Sequence, residues 1–165
     1  MTSIVDTNVA IVANKRAEQA SPECIAACAS RLEQLMDSGR IAIDDKFLII
    51  KEYRTHLRTE GQPGVGDRFL RWVLLNRTNS ERCDQITIMP TDDNSFREFP
   101  SDDRLKTFDR ADRKWIAVCA AHPEHPPILQ ATDSKWLLFE KTFADNNIRI
   151  EFACPDDVKR LLQQG

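Results

Sequence analysis

The feature that most constrains this chain is a repeated local grammar. A short apolar run stops at an acid or a turn, and a helical pattern of three- and four-residue spacing follows. Ile4-Val5 ends at Asp6, and residues 8–14 then carry helix-like apolar spacing. Residues 40–43 form a second short strand that ends at Asp44-Asp45, followed by a helix over 46–57 with Ile49, Ile50, Tyr53 and Leu57 on its apolar face. Residues 86–89, 128–131 and 148–152 are three more strand candidates. Ser21-Pro22-Glu23 combines an N-cap hydroxyl, a proline at the first helical position and an acid in the first turn. The helix it opens runs through Cys28, Leu32 and Leu35 to Gly39. Helices are also expected over 67–76, 109–121, 134–143 and 155–162, whereas 91–107 is acidic, polar and aperiodic and is expected to be a surface excursion.

Strands alternating with helices predict a three-layer α/β/α sandwich with a mainly parallel central sheet. With 165 residues, 41% of them hydrophobic, the chain can bury one substantial core, so a single domain over 1–165 is expected. No apolar run approaches the roughly 18 residues of a membrane helix, and the start of the chain lacks the basic and apolar regions of a signal peptide. Cytoplasmic residence without membrane association is the corresponding expectation. Five cysteines, odd in number and without zinc-like spacing, are read as reduced, mostly buried thiols. The net charge of −3 excludes a generally basic coat but leaves room for a local basic patch.

In parallel sheets the ligand crevice lies outside the carboxyl ends of the strands. Asp6 directly follows the first strand and Asp133 follows the strand that ends near Ala131-Thr132, so both should face that crevice. Any one such aspartate is more often a turn former or a helix cap than part of a site. The combination carries more weight. Ile4-Val5-Asp6-Thr7-Asn8-Val9 resembles the opening motif of PIN-domain nucleases, and Lys51-Glu52-Tyr53 resembles that family's second acid. Asp112 with Ile116-Ala117-Val118-Cys119-Ala120 resembles the third acid and its small-residue helix, and Ala131-Thr132-Asp133-Ser134 resembles the fourth. The acids stand in the family's order. Where some members carry a further acid, this chain has Lys135 and Trp136.

The resemblance implies a phosphodiester hydrolase, RNA favoured over DNA, with Asp6, Glu52, Asp112 and Asp133 as catalytic metal ligands. Clustered carboxylates need a compensating cation, and oxygen-only donors suit one or two Mg²⁺ or Mn²⁺ ions. Asn8 and Thr132 are candidates to orient the carboxylates. Asp109 is expected to cap its helix, while Asp112 shares the inward face with Ile116 and Cys119. Lys51, Arg54 and Arg58, with Arg68 and Arg71 on the next helix and Arg113 beside the third acid, are candidate phosphate contacts. Arg110 and Lys114 also flank that acid, and Trp72 or Trp136 would supply a stacking surface. A solvated charged face is the competing explanation of these cations.

The resemblance also implies homodimers, and the toxin half of a toxin–antitoxin pair is the nearest context, with an antitoxin or regulatory protein as partner. The alternative is a PIN-fold module that binds RNA or protein without cutting. A haloacid-dehalogenase-type hydrolase would need a second aspartate where this chain has Asn8.

Overall fold

In the computed structural model, which describes residues 1–165, the strands form a single five-stranded sheet. They are β1 (Thr2–Val5), β2 (Arg40–Asp44), β3 (Cys83–Ile86), β4 (Ile128–Gln130) and β5 (Ile150–Phe152), in the order β3-β2-β1-β4-β5. Every pairing is parallel. The chain moves outward from β1 through β2 to β3, then crosses to the other side of β1 for β4 and β5. Strand order thus reverses between β1 and β4, where Ile4 lies opposite Ile128 and Val5 opposite Leu129. That reversal opens a crevice at the carboxyl ends of these two strands.

The helices are α1 (Thr7–Ala13), α2 (Pro22–Ser38), α3 (Leu48–His56), α4 (Val65–Asn76), α5 (Arg113–Ala121), α6 (Glu140–Asp145) and α7 (Pro155–Gln164). Helices α1 to α4 pack against one another, while α5 packs along β2, β1 and β4. One connected core joins both faces, with Trp115, Tyr53, Phe69, Phe143 and Trp136 among its largest fully buried side chains. Helix α4 lies so close to α1 that a Cβ on Gly66 would come within 2.1 Å of the Ala10 carbonyl oxygen, which is why a side-chain-free residue stands there. No helix is long and apolar enough to cross a membrane.

The expected elements shift in several places. Strand β3 occupies 83–86 rather than 86–89, because its pairing with β2 starts at Cys83 opposite Ile41. Ile88 is buried beyond the strand end, and Pro90 pairs only in an isolated antiparallel bridge with Phe96. The expected helix over 134–143 is a 3₁₀ segment, Ser134–Phe139, followed by α6. Residues 91–107 are irregular but anchored rather than loose, since Ser95, Phe99 and Leu105 are buried. Phe108 beyond them packs edge-on against Trp136, Phe139 and Phe143.

The expectation of reduced, buried thiols holds for three cysteines and fails for two. Cys24 and Cys154 form a disulfide across a sequence separation of 130, and Cys28, Cys83 and Cys119 remain free and buried. The pair joins the first turn of α2 to the residue that precedes α7, and Cys28 sits one turn further along α2 with its sulfur 3.7 Å from that of Cys154.

Candidate metal-binding active site

Asp6 leaves the end of β1 as the N-cap of α1, where its Oδ1 accepts the Asn8 amide at 3.3 Å. Its Oδ2 accepts a hydrogen bond from Gln130 Nε2. Gln130 is the last residue of β4, so the neighbouring strand orients the Asp6 carboxylate. Asn8 acts one step away: its Oδ1 accepts Thr132 N at 2.7 Å and Thr132 Oγ1 at 3.1 Å, stitching the ends of β1 and β4 together. Gln19 Nε2 donates to Thr132 Oγ1 at 3.3 Å.

Glu52 comes from the exposed margin of α3. Asp44 at the end of β2 caps that helix through the amides of Leu48 and Ile49, and buried Tyr53 donates to the Val5 carbonyl at 2.5 Å. These bonds tie α3 to the ends of β1 and β2 and so fix where Glu52 can reach. One Glu52 oxygen accepts from Thr7 Oγ1 and the other lies 2.6 Å from Lys114 Nζ. Asp112 ends a 3₁₀ turn, Arg110–Asp112, and its side chain makes no capping bond to α5. Asp109 caps that turn instead, accepting the Ala111 amide at 3.0 Å. Asp133 caps the next 3₁₀ segment, accepting Lys135 N at 3.2 Å, and stays partly exposed.

All four acids, with Asn8 and Thr132, line one open cleft of 530 Å³ at the strand-order reversal. Their fields overlap. Burial first, then Asp112 and Glu52, push the Asp6 carboxyl up to about 8, against the lowering effect of Gln130 and the Asn8 amide. Burial and then Asp133, Asp109 and Glu52 push Asp112 up to about 6, with Lys114 opposing. The carboxylate oxygens are spread more widely than a single tight ligand shell: the only group of three or more His, Cys, Asp or Glu residues with ligand atoms all within 4.8 Å of one another is Cys24, Cys28 and Cys154. An ion that keeps several waters and binds through one or two carboxylates fits such an acidic cleft better than one that needs a closed protein cage.

The cations divide sharply. Lys51 and Arg54 are exposed on α3, but Arg58 lies past the end of that helix. Arg68 pairs with Glu33 on α2 and Arg71 donates to the Thr59 carbonyl, so neither joins the acid cleft. Arg113 is no phosphate contact. Its buried guanidinium donates to Ser95 Oγ and to the carbonyls of Leu105, Lys106 and Phe108, and lies 4.4 Å from the Phe99 ring centre. Trp136 is fully buried, and Trp72 is held between Phe69 and Arg82, so neither is a free stacking platform. Lys114 belongs to the acid cluster as counter-ion rather than to an outer track. Gln130 and Thr7 are site residues the sequence reading passed over. A glutamine at the inner end of a fully buried strand was the available signal for the first.

Comparison with family models, with curated proteins and with solved structures returns no match. The all-parallel 3-2-1-4-5 topology is consistent with a Rossmann-like or PIN-like fold.

Proposed function

We propose that this chain is a divalent-metal-dependent nuclease of PIN type, a phosphodiester hydrolase acting by preference on RNA. One observation carries the reading: acids from four separate elements converge on the cleft where strand order reverses, and two of them are driven well above the ordinary carboxylate range by burial and by one another. A purely structural acid would instead be met by enough donors to outweigh its burial, as Asp67 is. Asp6, Asp112 and Asp133, with Glu52 once Lys114 releases it, would hold one or two Mg²⁺ or Mn²⁺ ions. When bound, the metal supplies charge neutralisation on the phosphate and activation of the attacking water.

The chain's own residues prepare that site. Gln130 and the Asn8 amide fix the Asp6 carboxylate, and the Asn8–Thr132 bonds hold Asp133 at the mouth of the cleft. Lys114 keeps Glu52 neutralised until a phosphate or cation competes for it. A toxin–antitoxin role and a homodimer are contexts compatible with this reading. A non-cutting module is the alternative that the paired state of Glu52 favours. Incubating the purified protein with labelled RNA and DNA in Mn²⁺, in Mg²⁺ and in chelator decides between them. Metal-dependent cleavage abolished by Asp6→Asn supports the nuclease, whereas binding without cleavage under every condition overturns it.

A further inference from the structure

Beside the acid cleft lies a second one of 490 Å³, and Glu52 lines both. Lys114, paired with Glu52, stands on the boundary between them. One side of the second cleft is α3, which contributes Lys51. The other is the irregular segment after β3, which contributes Asn94 and Phe96. That wall is closed on itself by the Pro90–Phe96 bridge and the Thr91 amide on the Ser95 carbonyl, and Ser95 Oγ accepts from the buried Arg113 guanidinium, which is itself anchored on the carbonyls of Leu105, Lys106 and Phe108, so the wall is formed before any ligand arrives.

The lining is specific in kind. Phe96 is half-buried and backed by the core, leaving part of its ring to the cleft. Lys51 is exposed and in no ion pair, and Arg110 at the rim is held by Asp93 on the same segment. A flat apolar surface flanked by cations is the chemistry that receives a base and its phosphate. The volume falls within the roughly 300–1,000 Å³ of small-molecule sites, which suits one nucleotide and not a helix. A base inside a duplex is stacked on both faces and cannot offer one to Phe96.

We propose that this cleft seats one unpaired nucleotide next to the phosphodiester held at the acid cleft. Its base lies on Phe96 and its phosphate between Lys51 and Arg110, which makes the protein selective for single strands. The proposal rests on the reading that the acid cleft receives nucleic acid, and the test separates the two. Binding of fluorescent five-nucleotide single-stranded RNA and DNA is measured by anisotropy in chelator, with unlabelled duplex as competitor. Cleavage of the same oligonucleotides is measured in Mn²⁺.

Phe96→Ala should weaken binding of at least one of the two strands roughly tenfold. Lys51→Ala, on an exposed position that does not threaten folding, should flatten the salt dependence by about 0.7 of a logarithmic unit. Duplex should compete poorly. A photoreactive base in the oligonucleotide should cross-link to residues 91–96. Cleavage with unaltered binding in both variants, or competition by duplex equal to that by single strands, overturns the cleft assignment and leaves the nuclease intact. Cleft-dependent binding with no cleavage in any metal overturns the nuclease and leaves a single-strand-binding site.

Discussion

Two aspartates in this protein are almost equally shielded from contact with solvent and behave in opposite ways. Asp6 in the acid cleft is 6% exposed and Asp67 at the start of α4 is 3% exposed. Burial works to raise both. Around Asp67, however, the amides of Arg58 and Gly64 and the Asn14 side-chain amide all donate to the carboxylate, with Arg16 nearby, and its carboxyl falls below the ordinary value. Asp6 lies deeper, faces Asp112 and Glu52, and accepts only Gln130 and a long bond from the Asn8 amide, so burial first and then the neighbouring acids raise its carboxyl to about 8. Low exposure alone therefore does not mark a site. What marks it is whether donors or other acids face the carboxylate.

The sharpest way to break this comparison is to remove each charge. Asp67→Asn turns an amide NH₂ group toward donors that need an acceptor, and should cost about 3 kcal/mol of stability, read as a fall in Tm of roughly 6–12 °C. Asp6→Asn should melt no lower than the wild type without metal, yet lose at least about a hundredfold in nuclease rate. An Asp6→Asn protein that unfolds while Asp67→Asn melts normally would invert the assignment of which acid is structural.

The same contrast recurs at shorter range between Asp112 and Asp109. Asp109 accepts a backbone amide and Asp112 does not, so Asp109→Ala should cost about 1 kcal/mol and keep most activity. Asp112→Asn should abolish cleavage at nearly constant Tm. Because Asp109 also helps to raise Asp112, its removal should move the acid limb of the pH–rate profile to lower pH. A folded, inactive Asp109 variant beside an active Asp112 variant would transfer the third acid to Asp109.

Proton linkage sharpens the comparison further. A carboxyl raised from 3.8 to about 8 binds its proton more tightly in the folded state, so its contribution to stability is full below pH 3.8 and is lost as pH rises through about 8. For Asp67 the sign is reversed, and its contribution is lost only as pH falls below its unfolded value. Metal-free protein should therefore lose stability from the acid cleft between about pH 4 and pH 8. Mn²⁺ must displace that proton, so its stabilising effect should grow over the same range. At a hundredfold excess over Kd it should reach about 2.7 kcal/mol, or roughly 5–10 °C in Tm. Equal Mn²⁺ shifts at pH 5.5 and pH 8 would remove Asp6 from the metal site.

What the sequence made legible follows from distance along the chain. Asp6 and Asp133 stand at strand ends, where a short apolar run and the next helix locate them without tertiary information. Glu52 and Asp112 could be placed because α3, which carries Glu52, and α5, which begins just after Asp112, have clear apolar faces. The partners could not: Gln130 meets Asp6 from 124 residues away, Lys114 meets Glu52 from 62, and Cys24 meets Cys154 from 130. Strand β3 was misplaced because its Asp84 and Gln85 dilute the apolar signal, while Ile88, in the loop beyond, is fully buried. Arg113 resembles a phosphate contact in sequence because nothing local reveals that residues 95–108 fold back to engage every nitrogen of its guanidinium.

The smallest expected effect separates cations that belong to the acid cleft's surroundings from those already engaged elsewhere. Arg54 is exposed on the same helix as Glu52, and Arg58 follows that helix closely, whereas Arg68 pairs with Glu33 and Arg71 with the Thr59 carbonyl. A phosphate contact releases counter-ions, so losing one flattens the salt dependence of single-strand binding by about 0.7 of a logarithmic unit. The Arg54→Ala, Arg58→Ala double variant should therefore show a slope flatter by up to about 1.4 with little change in Tm. The Arg68→Ala, Arg71→Ala double variant should leave the slope near that of the wild type. Exposed ion pairs contribute only about 0–1 kcal/mol, so its stability should change little too. Equal flattening in both double variants would mean that nucleic acid runs across α4 as well as α3. The strand would then follow the whole helical face rather than a track that ends at the acid cleft.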